Sequence, residues 1–171
     1  MMDMPDRKHE GVEITSEEWK AQKYNITPFK ALFKFSWSNG EAVGRFLSEL
    51  QKGRIIGRRC AECGRVMVPP RMFCEEDFSP TDDWVYVRDT GTIKTYSVSY
   101  LNADASRAKV PTVIAVIAID GASEGMGFLH IIRGTPPEKV RIGMKVRAKW
   151  KPRARRKGAI TDIEYFEAEA T

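Results

Sequence analysis

Four side chains have the types and spacing to hold a metal ion. Cys60 and Cys63 form a C-x2-C pair followed by Gly64, and Cys74 and Asp77 repeat the x2 spacing a short way downstream. Tetrahedral zinc takes four donors at about 2.0–2.3 Å, thiolates and carboxylate oxygens among them. Each x2 knuckle offers two donors from one tight turn, and Gly64 supplies the permissive backbone position of the first. Four filled positions leave none open to substrate or water, so the expected site is structural. The alternatives are a disulfide, a redox pair, buried core thiols, or a degenerate ribbon that keeps the shape without the metal. All three cysteines of the chain lie here, so any disulfide leaves one unpaired, and a redox C-x-x-C belongs beside a βαβ pattern that is absent.

Little else in the chain could do covalent chemistry. Of the two histidines, His9 falls in the polar terminal segment and His130 within an apolar strand pattern, where a satisfied ring is the expected role. Gly121-Ala-Ser123-Glu-Gly125 matches G-x-S-x-G, but a nucleophile elbow must join a strand to a helix and be followed by an acid and a histidine. Here it joins two strands and no histidine follows His130, so it reads as a hairpin turn. A free-standing thioesterase or hydrolase therefore lacks a nucleophile. Carbon–carbon bond chemistry on thioesters needs an activated cysteine and a histidine base, and this chain has neither to spare.

The elements that must position these residues follow from periodicity and punctuation. Thr15 and Glu18 make a capping box with Ile14 and Trp19 as hydrophobic staple, for a helix running to about Asn25. Phe29, Leu32, Phe33, Phe35 and Trp37 form a dense aromatic stretch suited to a partner. A second helix starts from Ser38 or Asn39, carries Ala42, Val43, Phe46, Leu47 and Leu50 on one stripe, and stops at Gly53. Strands are expected at 54–59, at 66–68, then as one long strand over 84–101 bent at a Gly91 bulge. Further strands are expected at 113–119, 128–133, 147–151 and 160–166, with the loop 135–139 where a barrel helix would lie. The predicted class is mainly β with N-terminal helices: a rubredoxin-like zinc ribbon followed by a five-stranded OB-fold barrel. The expected domains are a tail and helical docking segment over 1–53, the ribbon over 54–82 and the OB-fold over 83–171.

The 171 residues carry a formal charge of +5, but its distribution matters more than its size. Residues 149–157 hold six basic and no acidic side chains, which makes a local anion site instead of a global field. The longest apolar run, 113–119, is far short of the roughly twenty residues that span a bilayer. With no apolar leader core at the N-terminus, a cytoplasmic protein is expected.

A helix ending in glycine, Arg-x-x-Cys-x-x-Cys-Gly, Pro-Pro-Arg-x-x-Cys, a glycine-led long strand, Ile-Gly-Met-x-Val and a closing Tyr-Phe segment together resemble one known family. It comprises the acyl-CoA-associated proteins that join a rubredoxin-like zinc ribbon to a C-terminal OB-fold. The resemblance covers about residues 40–168 and rests chiefly on Cys60, Cys63, Gly64, Pro69, Pro70, Arg71 and Cys74. It implies a non-catalytic subunit that docks on a thiolase-superfamily enzyme, a thiolase, aldolase or synthase, and helps to hold acyl-CoA in a hetero-oligomer. Asp77 stands where the family usually has a fourth cysteine. Coenzyme A carries a diphosphate and a 3′-phosphate, for which Lys149, Lys151, Arg153, Arg155, Arg156 and Arg71 are the candidate ligands. Trp150 could stack on adenine or pack beneath the loop. The rival reading is a single-stranded nucleic-acid binder, which would need stacking aromatics on the second and third barrel strands. Residues 113–119 have none and Phe128 is the only one in the next strand, with Tyr86, Tyr96 and Tyr100 elsewhere.

Overall fold

The computed structural model describes residues 14–23, 34–102 and 104–169, in two compact units of residues 1–36 and 37–171. In the first unit, α1 (Ser16–Lys20) begins at the expected capping box: the Thr15 hydroxyl accepts from the Glu18 backbone N–H, and the Glu18 carboxylate from that of Thr15. The helix is shorter than expected because Gln22 takes a left-handed φ of 49°, which ends the helical path. Ile14 and Trp19 are both about half exposed. Phe29, Leu32 and Phe33 lie outside the described residues, and Phe35 and Trp37 are exposed.

The second unit opens with α2 (Gly40–Gln51). Asn39 holds the N-cap position but makes no side-chain cap bond, and the Ser38 hydroxyl accepts from the Gly40 N–H instead. Its end is the predicted one. Gly53, at φ +79°, donates to the Leu50 carbonyl while Arg54 donates to that of Glu49, the paired bonds of a Schellman motif. Ala42, Phe46 and Leu50 are buried, and Phe46 and Leu50 join the main core with Ile55, Ile56 and the barrel interior. Of the stripe on the second helix, Leu47 also packs against this core in part, while Val43 is 40% exposed.

Three strands make the ribbon sheet in the order β2–β1–β3, namely β1 (Ile55–Cys60), β2 (Val66–Met67) and β3 (Thr81–Val87). Five more close a barrel in the order β4–β5–β6–β8–β7: β4 (Thr90–Leu101), β5 (Arg107–Ile119), β6 (Gly127–Ile132), β7 (Lys145–Trp150) and β8 (Ile163–Ala168). The expected long strand over 84–101 is thus two strands with different partners. Trp84 pairs with Arg58 of β1, whereas Gly91 pairs with Ile119 and Val146 inside the barrel. Nor is Gly91 a bulge. The register shifts on β4 lie between Ile93 and Thr95 and between Ser99 and Leu101, and Gly91 is needed because a Cβ there would strike the Ala118 carbonyl. The barrel closes through a parallel β6–β8 contact, so it is not a pure meander. A single 3-10 turn, Pro137–Lys139, stands in the loop expected to replace the barrel helix.

Ribbon and barrel are joined by the turn that matched the hydrolase motif. The Ser123 hydroxyl accepts from the Val66 N–H at 2.8 Å, its own N–H donates to the Val66 carbonyl at 3.0 Å, and Met126 packs with Cys60, Met67 and Cys74. Ser123 is therefore a fastener whose hydroxyl is occupied.

Candidate metal centre

The two knuckles are built alike. In the first, the Cys60 N–H donates to the Arg65 carbonyl at 2.9 Å and Gly64 N–H to the Cys60 carbonyl at 3.0 Å. In the second, Cys74 N–H donates to the Ser79 carbonyl at 2.8 Å and Phe78 N–H to that of Cys74 at 3.1 Å. Asp77 consequently occupies in the second turn the place that Cys63 has in the first. A further bond from the Ser79 N–H to Asp77 Oδ1 at 2.9 Å holds the carboxylate in that place.

The four donor atoms of Cys60, Cys63, Cys74 and Asp77 all lie within 4.8 Å of one another. Cys60 Sγ is 3.3 Å from Asp77 Oδ2, and Cys63 Sγ is 3.5 Å from Cys74 Sγ. Donors on a tetrahedron with roughly 2.0–2.3 Å bonds are separated by distances of this order, so the set fits zinc. Charge tells the same story. Asp77 is drawn down to about 2, first by the Ser79 N–H and then by the neighbouring thiols against the pull of burial. At Cys63 the Arg65 N–H favours the thiolate, but burial and the side chains of Cys74, Asp77 and Cys60 push the thiol up to about 12. Cys74 is lowered, chiefly by the N–H groups of Glu76 and Asp77. A divalent cation among the four donors would favour the charged form of thiol and carboxylate alike.

Two arginines that sequence reasoning passed over fasten the knuckles and the ribbon sheet to their surroundings. Arg65 reaches Glu75 at 3.0 Å, Glu76 at 3.5 Å and the Glu124 carbonyl at 2.9 Å, tying both knuckles to the β5–β6 turn. Arg58, buried on β1, donates to the Thr81 carbonyl, pairs with Glu41 of α2 and stacks on Trp84, whose ring Arg45 also contacts. Their partners are 10 to 59 positions away, so no local pattern announces them.

The structure separates the basic candidates by environment. Arg71 lies on the ribbon hairpin and pairs with Glu75. Lys149 is 3.7 Å from Glu167. Arg156 is a framework residue, donating through Nε to the Lys151 carbonyl at 2.7 Å and stacking over Trp150. Trp150 donates to Asp89, in keeping with packing under the loop. Arg153 and Arg155 stand exposed on a 3-10 turn, and among the described residues neither they nor Lys151 has a carboxylate partner in an ion pair. The loop owes its shape to Asp162, a fully buried carboxylate that accepts from the backbone N–H groups of Lys157, Gly158 and Ala159 at 2.7 to 3.2 Å. Burial opposes its charge, but those three donors and Lys151 outweigh it and lower its pKa.

His130 is stacked edge-on against Phe166 at 5.5 Å, and burial lowers its pKa against three backbone contacts. On the outer face of the second and third barrel strands, Val116 and Leu129 stand opposite one another and are exposed, an aliphatic pair instead of stacking aromatics.

Comparison with known proteins converges on one group. Residues 47–83 match the model of the ChsH2 rubredoxin-like zinc ribbon domain, and residues 84–151 that of the ChsH2 C-terminal OB-fold domain. A DUF35-family protein of unknown function from Sulfolobus solfataricus is 30% identical, with 61% of this chain and 74% of that one covered and a TM-score of 0.53. The Ltp2–ChsH2(DUF35) aldolase shares the fold at 22% identity and a TM-score of 0.54, over 78% of this chain and 98% of that one. A DUF35 domain-containing scaffold protein of Methanocaldococcus jannaschii is 34% identical over 95 residues, 55% of this chain and 65% of its own length. A probable enoyl-CoA hydratase alpha subunit of Thermomonospora curvata is 29% identical over 97 residues, 57% of this chain and 29% of that protein. The match thus spans just under two thirds of the first of these relatives and under a third of the second. Among the described residues no helix is long and apolar enough to cross a membrane.

Proposed function

The chain belongs to the DUF35 family, and we propose that it is a non-catalytic accessory subunit of a cytoplasmic thiolase-superfamily enzyme that makes or cleaves a carbon–carbon bond in an acyl-CoA. The observation that carries this reading is the commitment of all three cysteines, with Asp77, to one metal cluster, which takes away the nucleophile that thioester chemistry needs. The same four residues are the ligands of a structural zinc in this reading, and the metal orders a segment too small to build a core of its own. Zinc would supply no chemistry beyond that ordering.

Scaffolding is the role carried in the name of the archaeal relative, and an Ltp2–ChsH2(DUF35) aldolase is a complex in which the fold has been solved. Arg153, Arg155 and Lys151 are the members of the basic set best placed to meet the phosphates of coenzyme A, because Arg156, Lys149 and Arg71 are engaged elsewhere. The exposed Val116–Leu129 pair supports a protein partner over single-stranded nucleic acid. The test is co-expression with the thiolase-superfamily subunits of the source organism, followed by sizing of the purified material and an acyl-CoA turnover assay. A stable complex of fixed stoichiometry, with turnover lost when this chain is omitted, is the expected result. A chain that binds none of them, yet binds oligonucleotides with steep salt dependence, would replace this reading with the nucleic-acid one.

A further inference from the structure

Phe78 holds a backbone conformation that offers a phenylalanine nothing. Its φ of +59° lies in the left-handed region, where Cβ crowds the backbone and a bulky residue is an outlier. The matching position of the first knuckle is Gly64, at φ +72°, where no Cβ exists to crowd. Both residues donate the same i to i−4 turn bond, at 3.0 and 3.1 Å, so the second turn would close as well with glycine. Nor does the ring serve the core, since it is 79% exposed. In the same hairpin Phe73, paired across from Pro80, is 60% exposed. Strained residues persist where function requires them, and an exposed aromatic in such a place is a contact waiting for a partner.

The surroundings say what kind of partner. Residues 60–83 contain Glu62, Glu75, Glu76, Asp77, Asp82 and Asp83 against only Arg65 and Arg71, so this module is acidic within a chain of net charge +5. Arg65 and Arg71 are already engaged by Glu75 and Glu76. Among the described residues Glu62, Asp82 and Asp83 have no ion pair, and all three are exposed. An acidic module of this kind repels nucleic acid and anionic membranes and complements a rim of lysine and arginine.

We propose that Phe78, with Phe73 of the same hairpin, is a docking anchor that enters an apolar pocket rimmed by basic side chains on the catalytic subunit. The surface is small, but central aromatic anchors carry a disproportionate share of interface energy. This inference rests on the accessory-subunit reading for the identity of the partner and on the ribbon geometry for the surface.

The test uses the full chain with Phe78→Gly, Phe73→Ala and the pair Asp82→Lys/Asp83→Lys, each assayed for its urea midpoint and for affinity to the thiolase-superfamily subunit recovered with the wild type. Phe78→Gly is expected to leave the midpoint unchanged or raise it while weakening the complex by about thirtyfold or more, the effect of losing a hot-spot aromatic. Phe73→Ala is expected to weaken the complex in the same direction. The charge reversal is expected to slow association and flatten its salt dependence. A lower midpoint for Phe78→Gly would mean that the ring serves the fold, and unchanged affinity in both aromatic variants would overturn the anchor while leaving the accessory role intact. If the wild-type chain binds no such subunit, the accessory reading fails and the named occupant with it. Self-association of the wild type that disappears in Phe78→Gly would assign the surface to a second copy and overturn the proposal.

Discussion

Replacing Asp162 by alanine should cost the protein about 3 kcal/mol. Its carboxylate takes four short contacts from three backbone donors, Lys157, Gly158 and Ala159, and is itself fully buried. Hydrogen bonds to a charged group are worth about 1.5–3 kcal/mol each, and three acting on one group do not add in full. Gly158 and Ala159 are only half-buried, so water can recover part of what their N–H groups lose. At a urea dependence of about 1–3 kcal/mol per molar, 3 kcal/mol moves the midpoint down by roughly 1–3 M. Asp162→Asn keeps one acceptor oxygen but points an amide at donors, and should lose about half as much. The pH dependence gives a second check. The folded-state pKa lies below the ordinary value, so the stabilisation is complete above the unfolded carboxylate's value of about 3.9 and fades as pH falls through the folded one. Titration of groups outside this loop affects wild type and variant alike and drops out of the difference. Equilibrium urea unfolding by tryptophan fluorescence, stepped from pH 7 towards pH 3, measures both quantities. A difference under about 0.5 kcal/mol at pH 7, or one that stays constant down the titration, would refute the account of the loop.

Asp77→Ala should lower zinc affinity by on the order of 100-fold or more, read by chelator competition and metal analysis, while Asp77→Cys retains the metal. Leu50→Ala should destabilise by about 2–5 kcal/mol in urea, because Leu50 is fully buried where α2 meets the core. Arg153→Glu with Arg155→Glu should weaken coenzyme A binding by the assembled complex at least about tenfold without moving the urea midpoint. Arg156→Gln should do the reverse, because its guanidinium braces the Lys151 carbonyl and Trp150.

The readings that held are those whose cause is local. The x2 spacing of Cys60–Cys63 and Cys74–Asp77 places two donors in one turn whatever surrounds it, and the knuckles duly coincide. The end of α2 was legible because Gly53 alone can take the left-handed residue of its Schellman motif without strain. The capping box of α1 was legible for a similar reason, although the end of that helix was not, since nothing in Ala21-Gln22 announces a positive φ.

What failed was the assignment of partners. The strand pattern of 84–88 is the same whether it closes a barrel or completes a ribbon sheet, and only its pairing with β1 decides between them. The sequence by itself determined the two knuckles with their β1–β2 hairpin, the last four barrel strands and the concentration of positive charge at 149–157, because turn chemistry, strand period and charge count are properties of neighbouring residues. Tertiary structure alone decided that Ser123 fastens ribbon to barrel, that Arg65 ties the two knuckles together while Arg58 ties α2 to the ribbon sheet, and that Arg153 and Arg155 stand exposed where Arg156 is engaged. Each of those outcomes depends on donors and acceptors brought together by folding, across separations that no window of sequence contains.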